Sequence, residues 1–272
     1  DLGEDPSAMA GGAVANHYMN GTAVVDENFS KNARRLIKKH GGKIVLGCKV
    51  TSIEGNCVIT STKKYTADVI ISSIGAKATC DVCPGLPLLQ KTVDRLESKV
   101  FHQFYFLGFQ ASMEDMDILS EITWMKNDKD GDTLFCSACK NGKHTAVSLI
   151  CSQGCMDHTS MKKMFFRFFP RAEKHILMEN TATAQSVKRY LGRLNSYGLS
   201  CGPERFSTFE NVRSLSPYTE NPNLFLTGQD ILLPGITSQV ESSLLTLRCV
   251  CGITLLDFLT GNDIVDQIKK KN

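Results

Sequence analysis

The spacing of apolar and polar positions divides the chain into stretches with different periods. Between residues 27 and 40, Phe29, Ala33, Leu36 and Ile37 recur at helical spacing, and the lysines and arginines fall on the opposite side. This predicts a helix from Glu27 to His40 with Asp26 as its N-cap. Lys38, Lys39 and His40 suit the negative end of its dipole, and Gly41-Gly42 provides the exit. Beyond the glycines the period drops to two. Lys43 to Ile53 reads as a strand, Glu54-Gly55-Asn56 as a turn, and Cys57 to Thr62 as the returning strand. The run from Tyr65 to Ile74 is apolar without a break near its end, as in a strand buried on both faces, and small residues, Gly75 and Ala76, close it.

From Leu86 to about Ala184 the texture alternates. Helical patterns cover Leu88 to Lys99 and Met161 to Met178, the second interrupted by Pro170. Strand-like runs cover Val100–Gln110, Glu121–Met125, Thr133–Ala138 and Thr145–Cys151. Phe101, Phe104, Tyr105, Phe106 and Phe109 crowd one of these strands. Phe165, Phe166, Phe168 and Phe169 form a second aromatic cluster. Such rings ordinarily build a core, and the functional alternative is the wall of a deep apolar pocket for a long hydrophobic substrate.

The stretch Asn223-Leu-Phe-Leu-Thr-Gly-Gln-Asp-Ile-Leu-Leu-Pro-Gly-Ile-Thr-Ser238 orders the rest. A short apolar strand runs into Gly228, Gln229 and Asp230, and a loop with Pro234 and Gly235 opens a helical pattern reaching about Thr260. Glycines let a backbone approach closely, and the free N–H groups of a helix start favour phosphate or another polar oxygen. Asp230 has two readings, a hydrogen bond to a cofactor hydroxyl or a cap on its own loop, and spacing leaves both open.

Composition bounds the reading. With 272 residues, 42% hydrophobic and 22% charged, the chain can bury a sizeable core, and a net charge of +3 calls for no nucleic-acid partner. No run is long and unbroken enough for a membrane span, although the Lys269-Lys270-Lys271 tail suits an anionic surface. Two CxxC pairs stand out among eleven cysteines, Cys80/Cys83 and Cys136/Cys139. They are too far apart for a zinc ribbon and have no histidine pattern, so reduced cysteines filling small apolar sites are expected and no metal is assigned. The opening Asp1-Leu-Gly-Glu-Asp5 has neither methionine nor signal-peptide pattern and reads as the start of a fragment.

No hydrolase elbow, phosphate-binding GxxxxGK[ST] loop, HExxH helix or GxGxxG fingerprint is present. The segment Asn223–Gly235 resembles the C-terminal flavin-contacting motif of the phytoene desaturase, carotenoid isomerase and retinol saturase family of FAD-linked oxidoreductases. Its form Asn-Leu-Phe-Leu-Thr-Gly-Gln-Asp is closest to the retinol saturase branch. Asp5-Pro6-Ser7 with His17-Tyr18-Met19-Asn20-Gly21, the helix–Gly-Gly–strand order of Arg34 to Ser73, and Tyr190-Leu-Gly192, Tyr197-Gly198 and Pro203-Glu-Arg-Phe206 are similar to that family in the same order.

The resemblance implies an α/β fold: a Rossmann-like FAD/NAD(P)-binding domain in two parts, 1–85 and 187–272, around an inserted α+β substrate domain, 86–186. It implies FAD as cofactor, with NAD(P)H as electron donor. Gly228, Gln229 and Asp230 would lie near ribityl and diphosphate, the helix start Gly235, Ile236, Thr237 and Ser238 near the flavin ring, and the Val50 backbone against adenine. It further implies a hydrophobic polyene or retinoid substrate and peripheral contact with the endoplasmic reticulum membrane, and it names no acid or base. The sequence departs from the family at Thr22–Asp26 and at Ser238-Gln239, where smaller residues are usual, so a degenerate, non-catalytic homologue is the alternative.

Overall fold

A computed structural model describes residues 28–97, 101–127, 131–152, 154–192, 195 and 198–252. The chain divides into two compact units. One is Ser98–Tyr197, and the other is made of Leu2–Glu97 and Gly198–Asn272, so the first is an insertion within the second. Residues 86–97, assigned to the insert from the sequence, lie in the split unit and supply Leu86, Leu89, Val93 and Leu96 to its core.

The split unit starts with α1 (Phe29–Lys39), which ends on Gly41 with φ of 79°. The expected N-cap, Asp26, is outside the described residues, as are the similar segments at 5–21. An antiparallel sheet follows: β1 (Val50–Glu54), β2 (Cys57–Thr60) and β3 (Lys64–Thr66). The first hairpin turns on Gly55 (φ 60°) and Asn56, a two-residue loop with glycine where positive φ is needed. The strand expected from Lys43 begins only at Val50. Its partner β2 ends at Thr60, whose N–H and hydroxyl both donate to the Lys63 carbonyl, so the chain before Val50 has no ladder to join.

The long strand expected over 65–74 is two strands. After β3 the chain bends at Ala67–Val69, and β4 (Ile70–Ser72) pairs in parallel with β10 (Leu224–Leu226), placing Ile70 opposite Leu224 and Ser72 opposite Leu226. Two helices follow that the apolar pattern marks unequally, α2 (Ala76–Val82) and α3 (Pro87–Leu96). Beyond the insert come α6 (Pro203–Phe206), α7 (Phe209–Ser214), β10, and α8 (Ile236–Cys251). Helix α8 stops at Gly252 (φ 68°), the last described residue, so its expected extension to Thr260 lies outside the described residues.

The inserted unit is one five-stranded antiparallel sheet. Its strands are β5 (His102–Phe109), β6 (Ile122–Lys126), β7 (Thr133–Asn141), β8 (His144–Ser152) and β9 (Ile176–Ala182), in the spatial order β6-β7-β8-β5-β9. Helix α4 (His158–Phe168) covers one face with Met161, Met164 and Phe165, and α5 (Ala184–Leu191) follows β9. Asp157 caps α4 by accepting from the Ser160 N–H. Residues 176–178, expected to be helical, are strand. Helix-forming Leu177, Met178 and Glu179 are overridden by pairing with the open edge of β5, and the new edge stays exposed, apolar at Leu177 and Met178 and polar from Glu179 to Thr181.

The sheet also separates the aromatic residues. Alternation along β5 sends Tyr105, Leu107 and Phe109 into the core, where Phe109 stacks on Phe165 and Phe169 packs tilted against Phe165. Phe104 and Phe106 face the other way, their rings stacked 6.1 Å apart. The core reading therefore holds for one set of rings, while the other set lines an open face.

All eleven cysteines are free thiols. Cys80 and Cys83 belong to the split unit's core. Cys136 is in the insert's core, and Cys139, an odd number of residues along β7, is exposed on the other side. Among the described residues no three His, Cys, Asp or Glu side chains converge. Burial pushes the Cys80 and Cys136 thiols up to about 12, while the hydroxyls of Thr60 and Thr62 beside it hold the Cys48 thiol below its ordinary value. Because the thiolate is the nucleophile, a chromogenic disulfide reagent at mildly alkaline pH labels Cys48, Cys139 and Cys155 first. Cys80 and Cys136 become reactive only on unfolding, and rapid labelling of either in the native protein contradicts the packing.

Candidate functional site

The site forms where the two parallel strands end. Thr227 N–H donates to the Ser72 carbonyl at 2.9 Å, closing the last rung between β10 and β4. Both chains then leave the same edge of the sheet through glycines with positive φ, Gly75 at 97° and Gly228 at 99°. The turns are neighbours, since a Cβ on Gly228 would lie 4.0 Å from the Ser73 carbonyl oxygen. One turn leads into α2. The other runs through Gln229 and Asp230 to Gly235 (φ 112°) and α8. In open α/β sheets, ligands bind in the crevice beyond the carboxyl ends of such strands.

Asp230 organises this edge. It is 3% exposed, and its two carboxylate oxygens are divided between distant segments. Ala76 N–H, at the start of α2, donates to Oδ2 at 2.8 Å, and Leu199 N–H donates to Oδ1 at 3.0 Å. Asp230 thus caps main-chain groups of two distant segments rather than its own loop, and its carboxylate stands at the positive end of α2. Gly198 permits the contact. Its φ is +78°, and a Cβ there would fall 2.0 Å from Asp230 Oδ1.

Arg205 holds the same turn from the other side. Its side chain is 1% exposed, and Nη2 donates to the carbonyls of Asp230 (2.8 Å) and Gln229 (3.3 Å), while Nη1 donates to that of Ser200 (3.3 Å). A buried cation and a buried anion thus share one loop system, each bonded mainly to backbone groups, with Arg205 Nε left without a partner among the described residues. Burial raises the Cys201 thiol beside them, against the opposing pull of Arg205.

Helix α8 docks on β10 through hydroxyls. Gly228 N–H donates to Ser242 Oγ at 2.9 Å, and Thr246 Oγ1 donates to the Leu226 carbonyl at 2.8 Å. Ser242 and Thr246 are its buried residues. The helix start is open. Gly235, Ile236 and Thr237 are exposed, Ser238 is half-buried, no side chain caps the first turn, and nothing lies within 4 Å of a Cβ built on Gly235. Among the described residues nothing partners the first-turn N–H groups of this sixteen-residue helix beside the glycine turn, a donor set that fits the oxygens of a nucleotide-type cofactor such as FAD.

Gly228, Gln229, Asp230 and Gly235 to Ser238 are thus gathered on one strand–turn–helix connection. Val50 belongs to the same unit as the first residue of β1, half-buried against its core. The sequence pattern did not identify Gly198, Arg205 and Ala76 as part of the turn. The signal available was the Tyr197-Gly198 and Pro203-Glu-Arg-Phe206 resemblance, which marked positions without roles.

No protein-family model matches the chain, and no curated protein matches it in sequence. Solved structures do match in fold. Wild-type putrescine oxidase bound to putrescine aligns with a TM-score of 0.59 and 12% identity over 81% of this chain and 52% of its own. Cyclohexylamine oxidase from Brevibacterium oxydans aligns with a TM-score of 0.54 and 9% identity over 75% of this chain and 47% of its own. The chain spans about half the length of these structures. The likeness is one of fold, a mixed α/β architecture.

Replacing Asp230 with Asn keeps its shape but sets an NH2 group against one of two main-chain donors. Denaturant unfolding should show a loss of about 1–3 kcal/mol. Gly198→Ala, which adds a clash to left-handed strain, should cost at least about 2 kcal/mol. An unchanged midpoint for either variant would disprove the assigned contacts.

Proposed function

We propose that the chain forms the closing part of the cofactor site of an FAD-dependent oxidoreductase acting on a conjugated polyene, of the retinol saturase type, with NAD(P)H as reductant and a peripheral place at the endoplasmic reticulum membrane. The observation that carries the cofactor is the open start of α8 beside Gly228 and Gly235, at the carboxyl ends of two parallel strands. A bound flavin supplies the hydride chemistry. This chain's residues supply the cradle, with main-chain N–H groups of α8 donating to the cofactor and Asp230 and Arg205 fixing the turn that shapes it.

The polyene reading draws on the open face of the insert's sheet. Cross-strand register places Trp124, Phe135, Ile150, Phe104 and Ala182 side by side on β6, β7, β8, β5 and β9. Five adjacent strands make a row about 19 Å long, the reach of an extended apolar chain. The next row runs through Ile122, Ser137, Ser148, Phe106 and Asn180, and its two serines and asparagine offer partners for a hydroxyl end group. Trp124 packs edge-on against Phe135 at 4.9 Å and remains half-exposed. An amine such as putrescine, which its oxidase binds, gains little from such a row. The second reading, a non-catalytic homologue that binds a lipid or partner protein, draws on Asp230, whose oxygens are already taken up by main-chain groups.

Two measurements test this. Full-length protein purified natively should show flavin absorbance, and Thr237→Trp, at an exposed position, should lower flavin affinity at least about tenfold without changing the melting temperature. A folded full-length protein that takes up no FAD supports the non-catalytic reading. Trp124 is the single tryptophan of the chain, so retinol should quench its emission saturably while putrescine leaves it unchanged. Equal effects of the two ligands count against a polyene.

A further inference from the structure

Helix α1 is amphipathic, and none of its residues is buried. On one side Phe29 is 60% exposed and Leu36 is 51% exposed, with Ile37 beside them. The loop after the helix adds Val45 and Leu46, the latter 71% exposed. Single exposed apolar residues are ordinary, but five within eighteen positions of one segment form a patch. The opposite side and flanks of the helix carry Lys31, Arg34, Arg35, Lys38 and Lys39. With Lys43 and Lys49 this makes seven basic residues between Asn28 and Ile53 and no acidic one. Since the whole chain carries a net charge of only +3, the positive charge is concentrated here and the remainder is net acidic.

An apolar face bordered by cations, on a helix of low overall hydrophobicity, fits the boundary between headgroups and acyl chains of an anionic membrane. Phe29, Leu36 and Ile37 would enter the acyl boundary, and the long Lys and Arg side chains would extend to the phosphate level. Among the described residues no helix is long and apolar enough to cross a membrane, so the mode is surface docking. We propose that α1, with the Val45-Leu46 loop, is a docking surface for an anionic lipid bilayer. This gives the peripheral placement proposed above a specific surface. It is independent of the flavin reading, because vesicle binding is measured without cofactor.

The test is co-sedimentation of the 272-residue chain with phosphatidylcholine vesicles and with vesicles that also contain phosphatidylserine. The expected result is binding to the anionic vesicles only, weakened by added salt. Lys38→Glu with Lys39→Glu should reduce it by at least about tenfold. Leu36→Glu with Ile37→Ser, both at exposed positions, should abolish it while helical content stays unchanged by circular dichroism. Equal binding to neutral and anionic vesicles overturns the proposal, as does native-level binding by the Leu36/Ile37 variant. No binding to either vesicle also overturns it, and concentration-dependent dimerisation in that case identifies a second copy of the chain as the occupant of the face.

Discussion

A carboxylate taken out of water must find donors to replace those it leaves, and in this chain the donors come from segments far apart in sequence. Asp230 holds the start of α2 through Ala76 and the main chain at the bridge residue Leu199, while Arg205 holds the Asp230 main chain from behind. Neither segment has enough apolar surface to fix its place alone, since α2 has seven residues and α6 has four. Electrostatics and main-chain saturation set the local geometry here, and the apolar core around Leu224, Leu226 and Ile231 keeps water away from it.

Much of the fold could be read from residue spacing. The helix over α1, the turn at Gly55-Asn56, the four strands of the insert around β7 and β8 and the start of α8 all follow from period and turn chemistry, because each of those signals is local. What could not be read depended on partners. Lys43 to Lys49 has strand character but no neighbouring strand, Leu177 to Glu179 has helical character but an available edge, and Val69 to Ile74 needed β10 before it could be told from the strand before it. In each case tertiary pairing outweighed local preference.

The candidate site was legible to a similar degree. Glycines at Gly228 and Gly235 signal close approach whatever the fold, and the structure gives both positive φ. Asp230 could be singled out but its task could not, because its partners are main-chain groups, which every residue has and no sequence marks. Arg205 shows the same limit. An arginine inside a Pro-Glu-Arg-Phe run looks like a surface residue until the carbonyls that surround it are in place. The aromatic runs were legible as aromatic, but strand alternation decided which rings face the core and which the open side.

The interleaving of the two units also bears on the order in which the molecule can assemble. Part of the insert's ladder, β6-β7-β8, is built from neighbours in sequence, with β7 and β8 joined by a two-residue turn at Gly142-Lys143, and such contacts close quickly, while β5 pairs with the more distant β8 and β9. The contact between Ala76 and Asp230 spans 154 positions, and β4 waits just as long for β10. Loop closure over that distance is costly in entropy unless the intervening chain has already condensed. During synthesis from the N-terminus, a chain that has not yet reached Leu224 has the insert's whole sheet and no parallel pair at all. The edge around Gly228 and Asp230 is therefore the last part of the described structure whose sequence is available to fold.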